Sequence, residues 1–85
     1  MEHLIVAFRS RSHTIKFANL LRERNVAMEI INTPKEAGVG CGLSVKIKKE
    51  SFELAKRLVL MVALSSFAGF FSVKEISGKR FVRSI

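Results

Sequence analysis

Between Asn32 and Ile47 the chain reads Asn-Thr-Pro-Lys-Glu-Ala-Gly-Val-Gly-Cys-Gly-Leu-Ser-Val-Lys-Ile, and this stretch holds the only proline, the only cysteine and three of the five glycines of the 85-residue sequence. A lone cysteine cannot close an internal disulfide, so the chemistry open to Cys41 is that of a free thiol, whose thiolate form is the nucleophile. Gly40 and Gly42 leave that thiol without flanking side chains and let backbone N–H groups approach the sulfur, which favours the thiolate. Lys35 is a candidate cation for supporting a thiolate or persulfide. The bland alternative is that Cys41 fills a corner of the core as a small apolar side chain. Pro34 fixes its own φ and pushes Thr33 toward an extended conformation, while Gly38, Gly40 and Gly42 can enter left-handed regions, so the stretch reads as a shaped loop.

Complete nucleophilic catalysis needs an activating base and an oxyanion site beside the thiol. The sequence presents neither, and it has no phosphate-loop signature and no paired carboxylates. A carrier or binding protein is expected rather than a complete enzyme, with no cofactor. His3 and His13 stand apart with no second cysteine or carboxylate cluster at ligand spacing, so they read as structural and no metal site is expected.

Fifteen Lys and Arg against seven Glu and no Asp give a net charge of +8, which attracts anions non-specifically. Arg9 and Arg11, beside the start of a helix, and Lys46 and Lys48, on a strand, are candidates for weak anion binding. The cations are spread over several elements without a block of like charge, so the expected polyanion binding is weak, salt-sensitive and without sequence preference.

The elements that must hold Cys41 follow from hydrophobic pattern. The chain forms a single domain over residues 1–85, and its hydrophobic content of 48% argues against disorder. His3–Phe8 is a near-continuous apolar run, the mark of a central strand covered on both faces. Ser10 or Ser12 can cap a helix whose stripe is Ile15, Ala18 and Leu21, closed by Asn25. A second strand over 26–31 leads into the loop, and a third over 43–48 leaves it, with Leu43, Val45 and Ile47 on one face. A second helix begins near Lys49–Ser51, buries Ala55, Leu58, Val59 and Val62, and stops at Gly69. Leu54, Met61 and Leu64 widen its stripe enough to suggest cover by another subunit, as in a homodimer. A fourth strand over 70–76, a turn at Ser77-Gly78 and a possible short edge strand over 80–83 complete the chain.

This order predicts an α+β fold, a ferredoxin-like split βαβ sandwich with a four-stranded antiparallel sheet and two helices on one face, plus the possible extra C-terminal strand. The core should contain Ile5, Ala18, Leu21, Ile30, Val45, Ala55, Leu58, Val62 and Val73. The uncharged run Leu58–Val73 reaches about 24 Å as a helix, short of a ~30 Å hydrocarbon layer, so no membrane span is expected. The opening residues are too short an apolar run for a secretory signal, and the lone thiol suits a reducing cytoplasm.

The opening strand into Ser12-His13, the Thr33-Pro34 pair and Cys41-Gly42-Leu43 leading into strand and helix together resemble the selenium/sulfur carrier protein-like family, over nearly the whole chain to about Ile76. The resemblance implies that Cys41 carries the chalcogen, as a persulfide or selenosulfide, between donor and acceptor proteins. The chain departs from the family pattern in its high basicity, in Gly38-Val39-Gly40 where Ser-rich segments are common, and in its extended tail. Two other readings stand beside the carrier: a basic nucleic-acid-binding module of the same fold, and a dimerising structural or regulatory module without chemistry.

Overall fold

From Leu4 to Phe8 every side chain is buried, and a strand can achieve that only with cover on both faces and a neighbour on each edge. The computed structural model, which describes residues 2–39 and 42–85, places this strand, β1 (Glu2–Phe8), at the centre of an antiparallel sheet. The elements that follow are α1 (Arg11–Glu23), β2 (Met28–Asn32), β3 (Leu43–Ile47), α2 (Phe52–Val62), β4 (Phe67–Ile76) and β5 (Lys79–Ser84). The sheet has five strands in the order β2-β3-β1-β4-β5. The expected four-stranded sheet is therefore corrected to five, because the tail pairs with β4 along six residue pairs, from Ile76 opposite Lys79 to Phe71 opposite Ser84.

One face of the sheet presents Leu4, Val6, Phe8, Val45, Ile47 and Phe70 to both helices, which contribute Phe17, Ala18, Leu21, Ala55, Leu58 and Val59. Phenylalanine rings bind this layer together. Phe17 of α1 meets Phe8 at 5.3 Å, Phe8 meets Phe67 at 5.7 Å, Phe67 meets Phe70 at 5.3 Å, and Phe70 meets Phe52 of α2 at 5.2 Å. Tilted and edge-to-face pairs of this kind add about 0.5–1.5 kcal/mol each beyond the area they bury. The other face carries Ile5, Ala7, Phe71 and Val73, with Val82 of β5 beside Val73, and its cover comes from Ala37 and Val39 rather than from an α-helix.

Local chemistry sets the ends of the elements. Ser10 is the α1 cap, its Oγ accepting from the His13 N–H at 3.3 Å. Asn25, at φ 59°, turns the chain after α1 and donates its N–H to the Arg22 carbonyl. The buried stripe of α1 is Thr14, Phe17, Ala18 and Leu21; Ile15 lies on its flank, 41% exposed, contrary to the expected phase. The α2 helix stops at Ala63, in the left-handed region at φ 47°, and not at Gly69. Gly69 instead lies in β4 at φ 141°, beside a bulge where Ala7 faces Gly69 but Phe8 faces Phe67. Ser77 and Gly78, both at positive φ, make the tight turn between β4 and β5.

Of the expected core, Ile5, Ala18, Leu21, Val45, Ala55, Leu58 and Val73 are buried, and Val62 is partly buried against the helix-side layer. Ile30 is 39% exposed because β2 is an edge strand that α1 covers incompletely. Leu54 and Leu64 pack on the core, whereas Leu60 and Met61 face outward. No helix among the described residues is long and apolar enough to cross a membrane.

Leu21→Ala should lower unfolding free energy by about 2–5 kcal/mol, while Leu60→Ala should change it by less than about 0.5 kcal/mol. Urea denaturation of the two variants checks this. An equal loss in both would mean that the outer face of α2 is covered.

Candidate functional site

The loop between β2 and β3 is closed at its base by backbone and side chain together. The Thr33 N–H donates to the Gly42 carbonyl at 2.9 Å, and the Thr33 and Ser44 hydroxyls meet at 2.7 Å, with Ser44 fully buried. Pro34 is buried at φ −59°, and a single 3-10 turn over Lys35–Ala37 follows it. Gly38 ends that turn at φ 68°, a backbone conformation in which a side chain would be strained.

The loop then lies across the second face of the sheet. Ala37 and Val39 pack against the layer formed by Ile5, Ala7, Phe71 and Val73. The sheet face away from the helices is therefore partly covered, with Ser44 buried and Lys46 half-buried. Between these apolar contacts the Glu36 carboxylate takes two hydrogen bonds from Arg80 of β5, 3.2 Å from Nε to Oε2 and 3.0 Å from Nη2 to Oε1. Such a two-pronged pair fixes orientation as well as distance. The guanidinium holds the Glu36 carboxyl below the usual carboxylate range, and the pairing raises the pKa of Arg80.

The start of α1 is tied to the start of β3 beside the base of the loop. Thr14 Oγ1 bonds to the carbonyls of Ser10 at 3.2 Å and Leu43 at 3.4 Å. His13 Nδ1 and Ser66 Oγ lie 2.6 Å apart, and the Arg9 N–H donates to the Ser66 carbonyl. Hydroxyl groups thus join β1, α1, β3 and the segment before β4 at one end of the sheet.

Cys41 and Gly40 lie outside the described residues. Of the neighbouring residues, Val39 is half-buried on the sheet and Gly42 is exposed at the base of the loop. A Cβ added to Gly42 would meet nothing within 4 Å, so space does not require glycine there. Lys35 is exposed on the 3-10 turn of the same loop. Arg9 and Arg11 are exposed at the loop end of the sheet. Lys46 and Lys48 lie toward the far end, because Ala7 pairs with Ser44 and Leu4 with Ile47. The four cations do not form one patch, and Lys46 is drawn to Glu29 at 3.8 Å.

A groove of about 520 Å³ opens at that far end, lined in part by Glu2, His3, Met28, Lys46 and Lys48. Burial, with Lys46 nearby, pushes the His3 pKa down. Glu2 accepts from Ser72 Oγ at 2.6 Å and pairs with Lys49 at 3.3 Å, and these bonds hold its carboxyl below its ordinary value. The groove is at the opposite end of the sheet from the loop base and takes no part in it. Among the described residues no three His, Cys, Asp or Glu side chains come together as a metal site.

Residues 3–62 match the family described as "Putative Se/S carrier protein-like". The chain belongs to this family. No curated protein and no solved structure matches it. The family match runs from β1 to the end of α2, so β4 and β5, including the Arg80 that grips the loop, follow it in the chain.

Arg80→Ala should speed amide hydrogen exchange over residues 35–39, and the reciprocal pair Glu36→Arg with Arg80→Glu should restore part of the protection. Because the Glu36 carboxyl is lowered in the folded state, its contribution is complete above its ordinary value of about 4.3 and is lost as pH falls through the lowered one. Ala37 and Gly38 amide shifts should therefore stay constant near neutrality and move only in acid. A transition near neutral pH would exclude Glu36 as its source.

Proposed function

We propose that the chain is a thiol carrier in which Cys41 accepts sulfur or selenium from a donor protein and hands it to an acceptor protein. The family match over residues 3–62 carries this reading, and the sole cysteine of the chain supports it as the acceptor atom's source. The anchored loop and the exposed Gly42 suit a thiol presented to a docking protein. We read the fold as ferredoxin-like with β5 appended, and the working compartment as the reducing cytoplasm, where a lone thiol stays free.

In the loading step the Cys41 thiolate attacks the outer sulfur of a donor persulfide. A new S–S bond forms, the donor's S–S bond breaks, and the donor leaves as a thiolate. In the unloading step an acceptor nucleophile takes the outer atom and Cys41 departs as thiolate. A selenosulfide follows the same course. An ordinary thiol near pKa ~8.5 is only a few per cent ionised at neutral pH, so Lys35 and the backbone N–H groups flanked by Gly40 and Gly42 serve by favouring the anion.

Incubation with a persulfide donor should add the mass of one sulfur atom to the protein and none to Cys41→Ser, which should keep the fold. Lys35→Ala should raise the thiol pKa, and a rise of about 0.3 unit would halve the alkylation rate near pH 7. Loading that persists in Cys41→Ser, or a wild-type mass that never changes, would end the carrier reading.

A further inference from the structure

We infer that β5, with the adjoining helix-side face of β4, is the docking surface for an extended acidic segment of a partner protein. The register places Ser72 opposite Arg83, Lys74 opposite Phe81 and Ile76 opposite Lys79. Alternation along the strands then puts Lys74, Ile76, Lys79, Phe81 and Arg83 on one face of the two-stranded ribbon. The helices do not extend over it, for Ile76 is 57% and Phe81 49% exposed, and all three cations are exposed. None of Lys74, Lys79 and Arg83 has an ion pair among the described residues. Glu2, across from Lys74 in β1, is already engaged by Ser72 and Lys49, and Glu75 belongs to the opposite face with Arg80.

The ribbon face thus offers Lys79 and Arg83 without an ion pair among the described residues, Lys74 beside the already engaged Glu2, and two large apolar side chains. Beside it runs the outer edge of β5, the last strand of the sheet, which among the described residues has no strand pairing along that side. An extended peptide can meet both features at once: its backbone pairs with the edge while alternate side chains lie on the ribbon face. Charge decides which peptide. A second copy of β5 would set Lys79 and Arg83 against their like, which is unfavourable across strands, whereas Glu or Asp at alternate positions would be favoured. Edge lysines that keep off most strands thereby select an acidic one. Single-stranded nucleic acid fits less well, because the face holds one aromatic ring where base-stacking sheets use two or three. The surface itself is independent of Cys41 chemistry; that its occupant is the sulfur donor or acceptor rests on the carrier reading.

The test titrates the full chain with a ten-residue peptide of alternating Glu and Val, a Lys and Val counterpart, and oligo-dT, at about 0.15 M salt, followed by amide shifts and anisotropy. The acidic peptide should shift amides of residues 74–84 and outbind the other two. Lys79→Glu with Arg83→Glu should weaken it at least ten-fold and gain binding to the Lys peptide, a result that an unfolded variant cannot give. Binding should survive Cys41→Ser, so a failed carrier reading and a failed surface are told apart. No binding of the acidic peptide, shifts confined to other elements, or tighter binding of oligo-dT would overturn the proposal.

Discussion

The burial of β1 on both faces is the constraint on which the rest of the structure depends. Leu4, Val6 and Phe8 look one way, Ile5 and Ala7 the other, and all five need an apolar layer. At about 25 cal/mol per Å² of apolar area, leaving either layer open to water would forfeit a large part of a small domain's margin of stability. Two helices satisfy the first face. Among the described residues there is no third α-helix for the second, and the loop bearing Ala37 and Val39 serves there instead.

On the proposed carrier reading, function and stability are joined in one segment. Ala37 and Val39, in the same loop as the cysteine, also cover the core, so they cannot move away without exposing Ile5, Ala7, Phe71 and Val73. Its base is fixed by Thr33, Gly42 and Ser44 and its crest by Glu36 and Arg80. The apolar contacts and the charge pair have different requirements: the first needs shape, the second needs an ionised carboxylate.

Much of this was legible in the sequence because it is periodic or punctuated. The apolar run of β1, the alternation in β3 and the Ser77-Gly78 turn each state their structure locally, and of the two caps the sequence offers, Ser10 and Ser12, the structure uses Ser10. The phase of α1 is not legible in the same way, because Ile15 and Phe17 are both apolar and only tertiary packing decides which goes inside. Gly69 misled because a glycine marks a helix stop and a strand bulge equally well, and Ala63 adopts a left-handed conformation that its identity does not advertise. At the site, the unusual loop was evident, but its anchors were not. Thr14 with Leu43, His13 with Ser66 and Glu36 with Arg80 are pairs separated by 29, 53 and 44 residues, and no local spacing links them.

The separation of Glu36 from Arg80 has a temporal meaning. During synthesis at roughly 5–20 residues per second, the loop leaves the ribosome a few seconds before the strand that anchors it. For that interval β1 lacks β4 as a neighbour and the second core layer lacks Phe71, Val73 and Val82, so Ala37 and Val39 emerge before the layer they pack on is complete. The order of the elements thus makes the anchoring of the loop one of the late events in the protein's assembly.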